Sequence, residues 1–202
     1  MKEKVLVIGA NGAIASHVID FIQQDETLEI SLLARNESQI AHRKQANTEI
    51  IVADVLNPSQ LNKAIQGQDV VYANLAGQVD EMAMQIVQSM TANGVKRLIF
   101  VTSLGIYNEI PGLFGVFNKI AIGQPLKRYR RAADIIESSD LDYTIVRPAW
   151  LTNKDEVNYE TTKKGEPFKG MRVSRKSVGA FIADLIVHPE KEIKQSIGVN
   201  RP

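Results

Sequence analysis

The sequence predicts an α/β protein built on one doubly wound parallel sheet, and three observations predict it. Strand-like and helix-like segments alternate along most of the chain. The strand-like segments are short, nearly continuous apolar runs, as expected for strands buried on both faces. A glycine-rich turn, Gly9-Ala10-Asn11-Gly12-Ala13-Ile14-Ala15, joins the first strand to the first helix. The 202 residues are enough for one large core, so a single domain over 1–202 is expected.

Val5-Leu6-Val7-Ile8 reads as the first buried strand. Ile14, Val18, Phe21 and Ile22 then share one face of a helix. Residues 28–34 and 49–53 read as strands two and three, and 69–75 as strand four. A helix over 80–93 follows, with Asp80 as its cap and Gly94 just past its end. Strand five covers 97–102 and is rich in β-branched and aromatic residues. A helix over 127–138 leads to strand six at 143–146, stopped by Pro148. Val178, Phe181, Ile182, Leu185 and Ile186 give 177–187 helical spacing, and 197–199 reads as a last short strand. Alternation of this kind implies helices on both faces of the sheet and the Rossmann order of strands.

Two stretches break the pattern. Residues 105–124 mix Gly105, Gly112, Gly115 and Gly123 with apolar residues, and read either as a flap over a pocket or as a short core-packing helix. Residues 152–172 are polar and follow strand six, where open α/β sheets place substrate loops. Together they are expected to form a small substrate-side region.

Composition excludes several classes of function. No run of about 18 apolar residues suggests a membrane span. The chain has no Cys, so disulfides and thiolate metal sites are excluded. Met1-Lys2-Glu3-Lys4 leads straight into a strand, so no secretory leader is expected, and the location expected is cytoplasmic. A net charge of +1 gives no reason to expect nucleic acid. The basic cluster Lys127-Arg128-Arg130-Arg131 reads as the solvated face of one helix. His17, His42 and His188 lack metal-ligand spacing, and Met82, Met84 and Met90 read as helix packing. Oligomeric state leaves no mark on the sequence.

The glycine turn carries the main functional signal. Gly9 permits a tight turn. Gly12, without a Cβ, lets the backbone approach a pyrophosphate, and small Ala15 lets the helix pack close to the strand. The helix N-terminus at Ala13-Ile14 offers unpaired N–H groups to phosphates. Residues 9–14 therefore read as a dinucleotide cradle. NAD-preferring sites place an acid about 20 residues further on, bonded to the ribose. Strand two instead ends in Leu33-Ala34-Arg35-Asn36. Arg35 suits a 2′-phosphate, or is a plain surface arginine. NADP is thus expected, with NAD left open. The small residues Ala76 and Gly77 after strand four allow a ribose to approach, or simply make a turn.

Gly9-xx-Gly12-xx-Ala15, Asp54, Ser103 and Asp142-Tyr143-Thr144-Ile145-Val146-Arg147-Pro148 resemble the atypical short-chain dehydrogenase/reductase superfamily. The branch most similar is that of the NAD(P)H-binding, NmrA-like proteins and the biliverdin reductase B-type flavin reductases. The resemblance implies that Asp54, with Val55 beside it, sits near the adenine; a helix cap ahead of Pro58 is the other reading of Asp54. It also implies a Tyr with a Lys four positions later on the helix after strand five. Tyr107 is followed at that spacing by Pro111 and Tyr129 by Ala133. Tyr159 and Lys163 have the spacing but lie after strand six. Thr102, Ser103 and Tyr107 remain near the expected nicotinamide end. Ser103 and Tyr107 are the catalytic candidates, orienting substrate or nicotinamide; a strand-end cap and a half-buried aromatic are their other readings. Trp150 either stacks on a planar substrate or packs at the rim, and Arg147 is expected to orient the loop after strand six.

The function expected is NADP(H)-dependent hydride transfer to a small planar acceptor such as a flavin or quinone, which needs positioning more than a strong acid. A non-catalytic NADP(H)-binding redox sensor of NmrA-like type is the alternative. An epimerase-like or carbonyl-reducing enzyme is a third reading.

Overall fold

The computed structural model describes residues 2–107 and 123–202. Most of the stretch read as a flap or short helix lies outside the described residues. Strand β1 (Glu3–Ile8) sits in the middle of the sheet. Val5, Leu6, Val7 and Ile8 are fully buried, because both faces of the strand are covered. On one side β1 pairs with β2 (Leu28–Ala34), which pairs with β3 (Thr48–Val52). On the other side it pairs with β4 (Val70–Ala73), then β5 (Arg97–Val101), β6 (Asp142–Pro148) and β10 (Gln195–Asn200). All these pairs are parallel. β8 (Glu160–Lys163) adds an antiparallel edge beside β10. The chain builds outward from β1 in one direction and then in the other, so the topological switch lies between β1 and β4.

Strand periodicity of two splits the core into two layers. Val5 and Val7 face helices α1 (Ala13–Ile22) and α5 (Arg175–Val187). Leu6 and Ile8 face α2 (Pro58–Ile65), α3 (Val79–Ala92) and α4 (Gln124–Glu137). Among the described residues no helix is long and apolar enough to cross a membrane.

Several elements differ from the expectation. The buried stripe of α1 uses Ile19 and leaves Phe21 at the surface, 36% exposed. Helix α2 carries only Leu61, Ala64 and Ile65 as buried residues over eight positions, too short a run for periodicity to announce it. Asn57 caps it, accepting a bond from the Gln60 N–H at 3.2 Å, with Pro58 following as its first residue. Helix α3 begins at Val79, so Asp80 lies in its first turn rather than at its cap. There Asp80 accepts a bond from Arg131 of α4 at 2.7 Å. The polar stretch after β6 is not one loop. It contains β8 and a two-stranded parallel ribbon of β7 (Trp150–Thr152) and β9 (Arg172–Ser174). Register alone found β8: Thr162 lies opposite Gly198, whose missing Cβ leaves room for Phe168 and the Thr162 hydroxyl.

Arg147 does not orient a loop. It is 1% exposed, donating from Nε to the Ser196 Oγ at 3.1 Å and from Nη2 to the Ser196 carbonyl at 3.2 Å. It therefore ties β6 to β10 from inside the core.

Helices α1 and α5 pack closely at Gly179, where a Cβ would stand 2.7 Å from the His17 Cβ. That atom is fixed by its own helix and has nowhere to go. Gly179→Ala is expected to destabilise the protein by about 1–3 kcal/mol in urea unfolding, because it overpacks this contact.

Candidate functional site

The carboxyl ends of β1 to β4 surround a cavity of about 300 Å³ at the switch point. Its floor is the turn after β1. Gly9 holds φ +80°, and its N–H and that of Ala10 both donate to the Leu33 carbonyl, at 3.1 and 3.2 Å. A Cβ on Gly9 would lie 2.2 Å from the Asn74 carbonyl oxygen, a backbone atom after β4. A Cβ on Gly12 would lie 2.3 Å from the Asn74 side-chain amide. Both glycines are thus needed first for the approach of two chain turns. Gly12 is also the residue before α1, and no side chain caps that helix. The first turn of α1 holds no acid. Its early N–H groups open at the glycine turn, the arrangement that suits an anion.

The walls come from the neighbouring strand ends. Arg35 is exposed after β2, and it makes no ion pair with a described residue. Asn11 donates from Nδ2 to the Gln39 Oε1 at 3.0 Å, bridging the glycine turn to the segment after β2. Asp54 Oδ1 accepts from the Leu56 N–H at 2.9 Å, which shapes the turn after β3. Asn57, not Asp54, caps α2. Val55 is buried beside it. Asn74, Leu75 and Ala76 make the opposite wall.

The cavity therefore brings together Gly9, Asn11, Gly12, Arg35, Asp54, Val55 and Ala76 of the expected set. Ala10 and Ile14 point into the core, and Ala13 opens α1. Gly77 is not among the described lining residues; its φ of +92° makes a turn, and its carbonyl accepts from Arg128 at 3.4 Å. Gln39, Asn74, Leu75 and Met82 line the cavity without having been singled out for it.

A second cavity of about 300 Å³ lies at the ends of β5 and β6. Thr102, Ser103 and Leu104 form one side, Pro148 to Leu151 the other, and Arg175 stands at the start of α5. Thr102 donates from Oγ1 to the Val146 carbonyl at 3.3 Å, and Ser103 from Oγ to the Leu104 carbonyl at 3.3 Å. The Trp150 indole is 42% exposed at the rim.

Tyr107 does not line this cavity. Its hydroxyl donates to the Glu137 Oε1 at 2.8 Å, at the far end of α4. Lys164 Nζ lies 4.3 Å from its ring centre, the Arg130 guanidinium 4.7 Å and that of Arg147 5.3 Å. Burial, and then the hydrogen bond to Glu137, push the phenol well above its ordinary pKa. It is a poor acid in a polar knot outside the cavity. The turn after β5 folds back over the sheet, a long-range choice that one-dimensional spacing does not carry. Tyr129 donates to the Leu75 carbonyl at 2.8 Å and so pins the wall of the first cavity. Tyr159 packs tilted against Phe181, 5.7 Å between ring centres. No tyrosine is among the described residues lining the second cavity. Among the described residues no group of His, Asp and Glu suits a metal.

Residues 9–189 match the family model described as NAD(P)H-binding. A solved Rossmann-fold NAD(P)-binding family protein from Shigella flexneri is 48% identical, with a TM-score of 0.88 over 100% of this chain and 95% of its own. A short-chain dehydrogenase/reductase from Veillonella parvula, solved in complex with NADP, is 26% identical, with a TM-score of 0.90 over 100% of this chain and 96% of its own. The Bacillus subtilis protein YhfK, described as an uncharacterized sugar epimerase, is 29% identical over 167 residues, 75% of this chain and 73% of its own.

Tyr107→Phe is expected to cost about 1–2 kcal/mol in urea unfolding, since it strips one hydrogen bond from a partly buried carboxylate. NADPH affinity, measured alongside, should not change, because the ring lies outside both cavities.

Proposed function

The chain belongs to the NAD(P)H-binding family, and we propose that it is an NADP(H)-dependent oxidoreductase that passes hydride to a planar acceptor such as a flavin or quinone. The observation that carries this reading is the pairing of two cavities on adjacent strand ends. One is built around a glycine turn and an uncapped helix, the other around apolar side chains and an indole. The first fits a dinucleotide: the turn crowds its own backbone, leaves N–H groups open and sets Arg35 where no described carboxylate pairs with it. Gly9, Asn11, Gly12 and the start of α1 would hold the phosphates. Asp54, Val55 and Ala76 would flank the adenosine, and Thr102 and Ser103 would meet the nicotinamide end. When bound, the reduced nicotinamide supplies a hydride, and the acceptor gains that hydride and a proton.

The chain's own residues do the rest by positioning. Ser103 has a hydroxyl free to redirect toward an acceptor oxygen or the nicotinamide amide, since its present bond is a long local one. Leu104, Pro148 and Ala149 exclude water. Among the described residues the lining includes no tyrosine or carboxylate tuned to move a proton, which favours an acceptor protonated from solvent over a ketone or a sugar hydroxyl. The same feature favours, as a second reading, an NADP(H)-binding sensor without turnover.

Gly12→Val is expected to abolish NADPH binding in calorimetry. The protein should stay folded, because the atom nearest the new Cβ is the movable Asn74 amide at 2.3 Å, while the Gly9 carbonyl oxygen lies further off at 3.2 Å. A variant that binds like the parent removes the glycine turn from the cofactor site. Arg35→Ser should weaken NADPH by about 1.5–3 kcal/mol and leave NADH nearly unchanged. Equal loss for both cofactors would overturn the assignment of Arg35 to the 2′-phosphate. NADPH consumption with flavins or quinones, and little with simple aldehydes or ketones, supports the enzyme; consumption with none of them supports the sensor.

A further inference from the structure

We propose that the second cavity selects acceptors carrying an acidic substituent, a phosphate or a carboxylate, and that Arg175 is the residue that reads it. The inference rests on the reading of this cavity as the acceptor site. Its basis is the charge inventory of the lining. Thr102, Ser103, Leu104 and residues 148–151 are all uncharged; Arg175 is the single charged group among the described residues that line the cavity. An apolar wall with an exposed indole suits a flat conjugated body. One guanidinium at the edge suits an oxyanion attached to that body.

Arg175 is also held ready without being neutralised. Its Nη1 donates to the Asn153 Oδ1 at 2.5 Å, a neutral acceptor that orients the fork and leaves its charge intact. Its chain neighbour Lys176 is paired with Asp155 at 2.5 Å. Arg128 and Arg131 share Asp80, Arg130 holds Asp134, Arg43 holds Asp20, and Arg201 approaches Glu156. Among the described residues no carboxylate takes Arg175, although the stretch from 153 to 160 that runs beside it contains Asp155, Glu156 and Glu160. Those acids are engaged elsewhere: Asp155 by Lys176, Glu156 by Arg201 and Glu160 by Asn200 at 2.7 Å. Arg175 is half-buried, so its charge acts in surroundings less screened than open solvent. A guanidinium at the rim of an apolar cavity, with no carboxylate partner among the described residues, can pair with an anionic substituent of a ligand.

Two matched pairs of flavins separate the substituent from the ring. Riboflavin and flavin mononucleotide differ by one phosphate; lumiflavin and N10-carboxymethyl flavin differ by one carboxylate. Dissociation constants are measured by flavin fluorescence on protein saturated with NADP⁺, without turnover, and KM values are measured with NADPH. The acidic member of at least one pair is expected to bind at least tenfold more tightly, with the same ratio in KM and similar kcat. Arg175→Gln should bring that ratio close to one while NADPH affinity stays at the parent value. Arg175→Lys should keep part of the preference, because charge is retained and the fork is lost. Equal binding within both pairs in the parent protein would overturn the proposal without any variant. A preference that survives in Arg175→Gln, or a loss of NADPH affinity in that variant, would also overturn it, the latter by assigning Arg175 to the cofactor. Flavins that are bound and reduced without preference would sink the role of Arg175 alone. Flavins that are neither bound nor reduced would sink the acceptor reading on which it stands.

Discussion

The turn that leaves β1 and the turn that leaves β4 touch at Asn74, and the site is organised around that contact. Two adjacent parallel strands end at the same level, and their chains then diverge to opposite faces of the sheet. The exits approach so closely that a Cβ on Gly9 would fall 2.2 Å from the Asn74 carbonyl. The Asn74 N–H donates to the Ile8 carbonyl at 3.0 Å, which continues the β1–β4 ladder one step past the strands. Gly9 and Ala10 are held to β2 by the Leu33 carbonyl at the same moment. The turn is therefore gripped from both neighbours. Helix α1 leaves it at an angle that sets its uncapped end over the cavity.

That grip extends to the far side of the molecule through α4. Tyr129 bonds the Leu75 carbonyl, Arg128 the Gly77 carbonyl, and Arg131 the Asp80 carboxylate. Tyr129 and Arg128 hold the segment between β4 and α3, which supplies the outer wall of the first cavity, and Arg131 holds the first turn of α3. The basic character of α4 thus has a local purpose. Arg128 and Arg131 reach the neighbouring helix and loop, and Arg130 pairs with Asp134 of its own helix.

The two tyrosines nearest the expected catalytic helix both serve as fasteners. Tyr107 and Tyr129 each donate a hydrogen bond within the protein, and burial raises both phenols above their ordinary range. A raised pKa disfavours the phenolate, and neither hydroxyl sits in the second cavity. Among the described residues that line that cavity, the hydroxyls are those of Thr102 and Ser103.

The amino-acid order by itself determined the strand–turn–helix unit at residues 5–22, the alternation behind the parallel sheet, and the missing acid at the end of β2. These are local properties. Apolar runs mark doubly buried strands, glycines mark the turn, and a residue type at a strand tip needs no partner to be read. Strand β8, the length of helix α2 and its true cap at Asn57 were not legible, because short elements take their form from neighbours distant in sequence. The destination of Tyr107 and the burial of Arg147 were also decided only by tertiary structure. Both depend on which groups face them across the sheet, Glu137 and Ser196, residues 30 and 49 positions away. Which arginines meet a carboxylate among the described residues, as Arg43, Arg128, Arg130, Arg131 and Arg201 do, belongs to the same class. Ion pairing is set by packing of remote elements, and a sequence records the charges without recording which of them meet.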